Sequence, residues 1–547
     1  MSCYCFLMAE HASATTAAVW RTIWCAAVLG LAACSAPVAP GGTAVQWAPD
    51  SATIRVAPGP QYTRGSVWRF FWGAHYRTIW AVPVSVPVLR LATAEPGGLT
   101  PLQAGGSYQS RTLRLRAPNG REFVLRSVDK DASMALPAGL ARRLLGGLMR
   151  DQTCATQPYG AYIAAPLAEA ARVYHANPRL VYLPDDSLLR QFRPQYANAL
   201  YLLEERPDGN QQGRPTFGHS PQVVSTAHML TDVHQRPNAR VEARAYLRAR
   251  LLDMWLGDWS RREDQWRWAS FPQAGRVVYR PIPRDRDQAF FLFNDGAITR
   301  LISWFVPKYH SFQASIPLNS VDGLTTTARV LDRTLLGRLS AEDFRQEADS
   351  LRLRLTDAAI KQALEATPAE TRSALTARFA PMLSARRAQL PAIARRYYEV
   401  LAAESWLVGT DQAERFVISQ TEAGALRVRV LARRPQRADS LLTERLYTKA
   451  DTRDLRLFGL GGNDVFELQT PLLPDFSVSL YDGDGDDHVQ LRTDASAEVS
   501  GFTWFRAPDD EADYPALDAS GLIREADPHP ELSTNVAGWR RRYRLRD

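Results

Sequence analysis

The feature that most restricts the folds open to this chain is a long helix followed by a charged loop and a strand that ends in alternating acids. The apolar spacing of ARAYLRARLLDMWL, residues 243–256, predicts an amphipathic helix. The loop GDWSRREDQWRW, residues 257–268, follows it, and GRVVYRPIPRDRDQAFFLF, residues 275–293, then predicts two short strands. The loop is either a solvated helix end or a segment that places Asp258 and Gln265 at a site.

Oxygen-bearing and basic side chains around this loop suggest a site for a cation and a phosphorylated ligand. A hard cation such as Mg²⁺ binds oxygen ligands and often keeps waters and substrate phosphates. Basic strand residues would offset phosphate charge, and glycines before a strand would let backbone amides approach a phosphate. The candidates are Asp258, Gln265, Asp285 and Asp287 for the cation, Arg126 and Lys130 in FVLRSVDKD for phosphate charge, and Gly105 and Gly106 for backbone contact.

The order of these parts is that of a protein-kinase-like fold: glycine-rich turn, basic strand, helix, strand, long helix, charged loop and acidic strand end. The stretch LGDWSRREDQWRWASFPQAGRVVYRPIPRDRDQAF resembles atypical kinases of the spore-coat protein H type, and the likeness extends over about residues 75–310. The segments YRTIWAVPVSVPVL, VLRSVDKD and YLLEERP also resemble uncharacterised lipoproteins of Bacteroidetes-like bacteria. The resemblance implies a two-lobed core with ATP and Mg²⁺ as cofactors.

The resemblance also implies roles for individual residues. Asp285 and Asp287 match the family's metal-binding Asp-x-Asp, and Gln265 matches the Asn that would hold a second metal. Arg126 matches the strand lysine that contacts phosphates, although Lys130, four residues later, is an alternative. Arg is not a neutral replacement for Lys in this role.

Two departures from the family pattern put catalysis in question. Ser260 stands where the family has its catalytic Asp, and Arg262 stands at its His. Because Ser cannot act as a carboxylate base, Asp258 is the candidate substitute; the helix that should supply a glutamate partner offers only Asp151 and Gln152. Two functions therefore stay open: a phosphotransferase with an unidentified protein or small-molecule acceptor, and an inactive pseudokinase or scaffold.

The N-terminus resembles a bacterial lipoprotein signal. TTAAVWRTIWCAAVLGLAACSA has one arginine, an apolar run and Leu31-Ala32-Ala33-Cys34. The run is shorter than the roughly 20 residues that span a bilayer, which disfavours a membrane helix. We expect a signal over 1–33, lipidation of Cys34 and a tether over 34–62. This predicts an extracytoplasmic protein of the cell envelope, attached by its lipid to a membrane; Ser35 is compatible with the outer membrane.

Composition excludes several other classes. Of the five cysteines, Cys3, Cys5 and Cys25 would leave with the signal and Cys34 would carry lipid, so Cys154 alone can form neither a disulfide framework nor a thiolate metal site. The net charge of +8 comes from scattered arginines among acids rather than from a basic patch. We therefore predict no nucleic-acid partner.

The whole pattern predicts an α+β fold. We expect a divergent two-lobed kinase-like core over 63–310, a helical extension over 311–405, a β-rich segment over 406–505 and a tail over 506–547. WRFFWGAHYRTIWAVPVSVPVL, residues 68–89, predicts strands, and Asn119-Gly120 predicts a hairpin turn. Ser340 to Asp343 has the form of a capping box.

A repeat marks the β-rich segment. LFGLGGNDVFEL and LYDGDGDDHVQL align with Asp464 and Asp487 in register. The second copy fits, with one mismatch, the glycine-aspartate pattern of calcium-binding β-rolls. Asp482, Asp484 and Asp487 are therefore candidate Ca²⁺ ligands. The alternative is a pair of stacked β-turns without calcium.

Overall fold

The computed structural model describes residues 51–505 and 523–524, apart from 107–109, 132, 134–135, 137–138, 237, 307, 435, 470–475 and 492–500. The chain is a mixed helix and sheet protein, as the sequence predicts. The predicted signal, Cys34, most of the tether and nearly all of the tail lie outside the described residues. Among the described residues, no helix combines the length and apolar character needed to cross a membrane.

The first described elements are two short strands with two short helices between them in the chain. They are β1 (Thr53–Val56), α1 (Ser66–Trp72), α2 (Arg77–Ala81) and β2 (Val84–Pro87), and β1 pairs with β2 antiparallel. The strands predicted for residues 68–81 are therefore wrong. Trp72, Tyr76 and Trp80 are all buried; α1 ends at Trp72, Gly73 and His75 have φ of +92° and +46°, and Trp80 lies in α2. Because β1 belongs to the fold, the predicted tether boundary at 62 lies too late.

A five-stranded antiparallel sheet, here the first sheet, follows. Its strands are ordered β3-β4-β5-β7-β6, and helices connect β5 to β6 and β6 to β7. The elements are β3 (Thr100–Gly105), β4 (Thr112–Arg116), β5 (Glu122–Ser127), α3 (Leu140–Asp151), α4 (Gly160–Ala170), β6 (Arg179–Leu183), α5 (Arg193–Tyr196) and β7 (Ala199–Glu205). The predicted Asn119-Gly120 turn is confirmed, since it joins β4 to β5 and Gly120 has φ of +83°.

A four-stranded sheet built around a hairpin carries the charged loop. Its order is β8-β10-β11-β9, and β10 pairs with β11 antiparallel. The elements are β8 (Gln222–Ser225), α6 (Thr226–Gln235), β9 (Ala239–Val241), α7 (Ala243–Leu256), β10 (Trp266–Gln273) and β11 (Arg276–Pro283). Residues 275–293 thus form one strand and a loop rather than two strands.

The region between residues 297 and 403 is helical, as predicted. Its helices are α8 (Ala297–Phe305), α9 (Val321–Thr325), α10 (Arg329–Leu336), α11 (Ala341–Arg354), α12 (Asp357–Glu365), α13 (Ala369–Ala388) and α14 (Leu390–Ala403). The capping box at Ser340 is confirmed. Helices α9 to α14 share one hydrophobic cluster with α7, so they extend the core of the preceding region.

The C-terminal part is β-rich, as predicted, and forms two five-stranded sheets. Their orders are β12-β16-β18-β20-β21 and β15-β14-β13-β17-β19. The strands are β12 (Glu404–Val408), β13 (Glu414–Gln420), β14 (Leu426–Ala432), β15 (Ser440–Tyr447), β16 (Asp454–Gly461), β17 (Val465–Leu468), β18 (Ser477–Asp484), β19 (His488–Leu491), β20 (Phe502–Phe505) and β21 (Ile523–Arg524). The two copies of the repeat stack in parallel, with Leu457 paired to Leu480.

Candidate functional site

Four charged side chains from two different sheets meet in one ion cluster. Arg126 lies on β5 and Lys130 three residues beyond that strand, whereas Asp285 and Asp287 lie on the loop after β11. Arg126 forms an ion pair with Asp285 and lies 3.5 Å from Asp287, and Lys130 forms an ion pair with Asp287. Asp285 is the most accessible of the four, with 31% of its side chain exposed. The structure thus brings together four residues that the sequence analysis selected from segments about 160 residues apart.

The two carboxyl groups of the cluster have opposite electrostatic environments. Burial favours the neutral form of Asp285, but the charges of Arg126 and Lys130 outweigh burial and hold its pKa well below the usual range. Burial raises the pKa of Asp287, and the neighbouring Asp285 carboxylate adds to the rise although Lys130 opposes it. Two adjacent carboxyl groups of this kind favour a shared proton or a cation between them.

The backbone at Asp285 is held in an unusual conformation. Its φ is +56°, in the left-handed region that Asp tolerates better than most residues. The buried guanidinium of Arg261 donates hydrogen bonds to the carbonyl oxygens of Arg284 and Asp285, at 2.7 and 2.8 Å. These contacts fix the direction in which the Asp285 side chain leaves the loop.

Asp258, the candidate substitute base, faces the protein interior. Helix α7 ends at Gly257, and Asp258 is fully buried, with its carboxylate paired to Arg261 and accepting the Ser260 N–H at 3.1 Å. Burial raises the pKa of Asp258 to about 6, even though Arg261 stabilises its charged form. The carboxylate therefore has no exposed oxygen for an acceptor group, and its contacts are those of a residue that shapes the loop.

Gln265 has an amide oxygen available for a ligand. Its side chain is buried, and its Nε2 donates to the Ser260 hydroxyl at 3.3 Å. Among the described residues, none donates a hydrogen bond to its buried Oε1. A buried acceptor without a donor has the chemistry of a cation ligand. Binding of Gln265, Asp285 and Asp287 to one Mg²⁺ stays a prediction.

Residues that the sequence analysis missed hold this loop in place. The Asp253 carboxylate lies between three guanidiniums, with Arg286 at 3.1 Å and Arg250 and Arg261 each at 3.6 Å. Arg250 also pairs with Asp332 at 2.9 Å. The available signal was the presence of Arg250 and Asp253, three residues apart, among the leucines of the second half of α7.

The helix partner expected for the strand cation is absent from the cluster. Asp151 is buried and pairs with Arg77 at 2.6 Å, and Gln152 contacts His75 at 3.0 Å. Within the described part of the chain, neither Asp151 nor Gln152 contacts Lys130. Lys130 pairs instead with Asp287, which belongs to the cluster itself.

Two more arginines lie beside the cluster on the β10–β11 hairpin. Burial and the nearby charges of Arg267 and Arg126 lower the pKa of Arg284 to about 10. Burial lowers the pKa of Arg267 as well, and Arg206 and Arg114 of the first sheet act in the same direction. Glu204 opposes the fall for Arg284, and Asp208 and Asp264 oppose it for Arg267, so burial and the neighbouring cations together outweigh these acids.

The candidate glycines close the first sheet at one end. Gly105 pairs with Thr112, and Gly106 has φ of +124°, where a side chain would lie 2.0 Å from the Ser110 carbonyl oxygen. The conformation requires glycine, but residues 107–109 lie outside the described part of the chain. A contact of this turn with phosphate stays a prediction.

The candidate calcium ligands are engaged within the β-rich segment. Asp482 accepts hydrogen bonds from the Gly483 N–H and the Trp504 indole, each at 2.8 Å, and Asp487 accepts the Asp464 N–H at 2.7 Å. Asp484 lies at the end of β18. Within the described ranges, no three His, Cys, Asp or Glu side chains are grouped as a metal site requires. Calcium binding at these residues and stacked turns without calcium both stay open.

Comparisons with known proteins give two low-similarity structural neighbours. No protein-family model and no curated protein matches the chain. The crystal structure of a Helicobacter pylori proinflammatory kinase, CtkA, shares 11% identity at a TM-score of 0.30, covering 57% of this chain and 99% of the kinase. A chain from the complex of HipA, HipB and operator DNA of a Shewanella oneidensis toxin–antitoxin system shares 11% identity at a TM-score of 0.24. The match covers 64% of this chain and 73% of the other chain. Similarities at this level assign no function to this chain.

Proposed function

We propose that the chain is a divergent phosphotransferase with a two-lobed, kinase-like core that binds a magnesium–polyphosphate ligand at the ion cluster. The observation that carries the proposal is the pairing of Arg126 and Lys130 from the first sheet with Asp285 and Asp287 from the hairpin loop. Phosphoryl transfer requires mainly positioning and charge stabilisation, and kinases achieve both with a strand cation and an acidic loop. The likeness to spore-coat protein H type kinases remains part of the proposal.

Each side chain of the cluster has a place in this function. Asp285, Asp287 and the Oε1 of Gln265 would hold Mg²⁺, which supplies neutralisation of charge on the phosphates. Arg126 and Lys130 would bind phosphate oxygens. In the free protein the same cations neutralise the carboxylates, so the site is stable without a ligand; on binding, the cations turn to phosphate.

A second candidate function is binding without catalysis. It is favoured by the contacts of Asp258, whose carboxylate is buried against Arg261, and by the serine at position 260. A kinase base must reach the acceptor hydroxyl by a hydrogen bond. In this alternative the chain binds the same ligand and acts as a scaffold in the cell envelope.

Thermal denaturation with and without ligand tests the binding step shared by both candidates. ATP with Mg²⁺ should raise the melting temperature of the 51–547 chain, because a ligand that binds only the folded state stabilises it by about 2.7 kcal/mol at one hundred times its Kd. Asp287→Asn should abolish the rise. Asp264→Asn is the matched control, since Asp264 lies on the same loop, is exposed and pairs only with its neighbour Arg262. The absence of any shift with ATP, ADP or tripolyphosphate would exclude the binding proposal.

Turnover separates the two candidates once binding is established. Release of phosphate or transfer of labelled γ-phosphate at a rate above that of Asp287→Asn supports the phosphotransferase. Binding with no turnover under any acceptor condition supports the non-catalytic alternative.

Localisation is a separate part of the proposal. The cleavage signal before Cys34 supports a lipoprotein attached to the extracytoplasmic face of a membrane. Radiolabelled palmitate should be incorporated into the full chain and not into Cys34→Ser, and only the wild-type chain, which carries the lipid, should partition into detergent. Labelling of the serine variant would contradict lipidation at this residue.

A further inference from the structure

The β10–β11 hairpin presents two arginines on one face. Arg267 pairs in register with Ile282, and the Arg284 N–H donates to the Gln265 carbonyl at 2.8 Å, which continues the same register. Side chains of a strand alternate between faces, so Gln265, Arg267 and Arg284 share a face and Arg267 and Arg284 are diagonal neighbours.

This face is turned away from α7 and toward the first sheet. On the opposite face, Trp266 and Trp268 are fully buried and pack against Tyr246 of α7. Arg284 immediately precedes Asp285, which Arg126 of the first sheet binds. The two arginines therefore lie next to the ion cluster, on the side of the site formed by the hairpin.

Neither guanidinium forms an ion pair within the described part of the chain, although Glu204 acts on Arg284, and Asp208 and Asp264 act on Arg267, from farther away. No carboxylate there lies within 4.0 Å of Arg267 or Arg284, and the buried Nε of Arg267 has no hydrogen-bond acceptor there. Arg280, on the same face, pairs with Glu242 at 2.6 Å, and Arg206 pairs with Glu122 at 2.8 Å. Partly buried cations without partners cost folding free energy, which suggests that a ligand completes their contacts.

We propose that Arg267 and Arg284 form a second phosphate site, which binds a phosphate group of the ligand separate from the group held at the ion cluster. Guanidinium groups bind phosphate through paired N–H donors, and two guanidiniums on the same face of a hairpin can bind one phosphate together. If an uncharged part of the ligand lay against the two arginines instead, it would exclude water from both guanidinium charges without neutralising them. The inference rests on the proposed function, which places the ligand at the ion cluster. It deepens that function by predicting that the ligand has a further phosphate group next to the β10–β11 hairpin.

Inorganic phosphate without magnesium tests the arginine pair directly. In EDTA, with ionic strength held constant by sodium chloride, phosphate should raise the melting temperature of the wild-type chain. Arg267→Met and Arg284→Met should each weaken phosphate binding at least tenfold by calorimetry, whereas Arg280→Met should leave it unchanged. The Arg280 variant is matched because it removes an arginine from the same face that already has an acidic partner.

The free proteins provide a second readout that a structural role would not give. Because Arg267 and Arg284 repel each other, Arg267→Met should melt at the same temperature as the wild type or higher in the absence of phosphate. A variant that melts lower and binds phosphate normally would overturn the inference. So would a wild-type chain that phosphate does not stabilise beyond matched chloride.

The magnesium-dependent response separates this inference from the proposed function. Stabilisation by Mg²⁺ with tripolyphosphate should be lost in Asp287→Asn and weakened in Arg267→Met. If Asp287→Asn loses it and Arg267→Met retains it in full, the proposed function stands and the second phosphate site is refuted. If phosphate binds to the arginines but magnesium has no effect in any variant, the second site stands and the proposed function fails.

Discussion

Replacement of Asp464 by Asn should remove most of the pH dependence of stability in the β-rich segment between pH 7 and 9. Three carboxylates, of Glu414, Asp464 and Asp487, stack in a buried column. The Glu414 N–H donates to Asp464 and the Asp464 N–H donates to Asp487, each at 2.7 Å. Each side chain is at most 1% exposed. The column therefore places acids where water cannot stabilise their charged forms.

The magnitude follows from the pKa values of two of these acids. Burial, reinforced by Glu414 and Asp487, raises the pKa of Asp464 from 3.8 to about 9, although Arg433 opposes the rise. Burial raises the pKa of Glu414 from 4.5 to about 7, against the opposing Thr410 N–H and Arg338. Between pH 5 and 7 the folded state thus holds two protons that the unfolded state lacks, and between pH 7 and 9 it holds one.

Stability therefore falls as the pH rises. One extra proton in the folded state costs about 1.4 kcal/mol of unfolding free energy per pH unit, so Asp464 alone accounts for a loss of about 3 kcal/mol from pH 7 to 9. In Asp464→Asn, the amide oxygen can still accept the Glu414 N–H, and the amide NH₂ replaces the protonated oxygen. The variant should escape this loss.

Hydrogen exchange measured by mass spectrometry provides the assay. In peptides covering 455–468 and 478–491, protection corrected for intrinsic exchange should fall about tenfold per pH unit from 7 to 9 in the wild type and stay nearly constant in the variant. Asp486→Asn is the control, because Asp486 is exposed on the neighbouring turn, next to Asp487. Equal slopes in wild type and Asp464→Asn, or protection that does not change with pH in the wild type, would refute the reasoning.

Three further substitutions test the scaffold by chemical denaturation. Asp332→Ala leaves the fully buried Arg250 without its closest carboxylate and should cost about 3–5 kcal/mol, whereas a loss below about 1 kcal/mol would show that the pair does not hold α7. Ser340→Ala removes a capping hydrogen bond and should cost about 1 kcal/mol, with Ser340→Thr as the variant that retains it. Gly459→Ala puts a methyl group 2.2 Å from the Asp482 carbonyl oxygen and should cost several kcal/mol, on the order of the larger core substitutions; a neutral effect would contradict the tight stacking of β16 on β18.

Local signals in the sequence predicted the elements that depend on local chemistry. The Asn119-Gly120 turn and the Ser340 capping box need only neighbouring residues, and both are present in the structure. The 23-residue repeat also predicted which residues of the two copies lie side by side, since the Asp464 N–H donates to Asp487 in the structure. The charged residues of the ion cluster were selected as ligands for a cation and for phosphate, whereas their pairing with one another is known only from the structure.

Prediction failed where tertiary contacts decide between two local options. Residues 68–81 are aromatic enough for strands, yet they form two short helices joined by a turn at Gly73 and His75, with Trp72, Tyr76 and Trp80 buried in the core. Asp258 presents the same limitation at the site. Its sequence position suggests a base, but only the fold determines whether the carboxylate faces an acceptor or the guanidinium of Arg261, three residues away.

The contacts of Arg261 connect the scaffold with the site. The same guanidinium binds the Asp258 carboxylate and the carbonyl oxygens of Arg284 and Asp285. A carboxylate that neutralises Arg261 is therefore needed to fix the backbone that carries the two acids of the cluster. Under the proposed function, Asp258 would act on the ligand through that backbone, so its replacement by Asn should weaken magnesium-dependent binding and thermal stability together. A catalytic base would instead affect turnover alone, which distinguishes the positioning role that the contacts support from the chemical role that the sequence suggested.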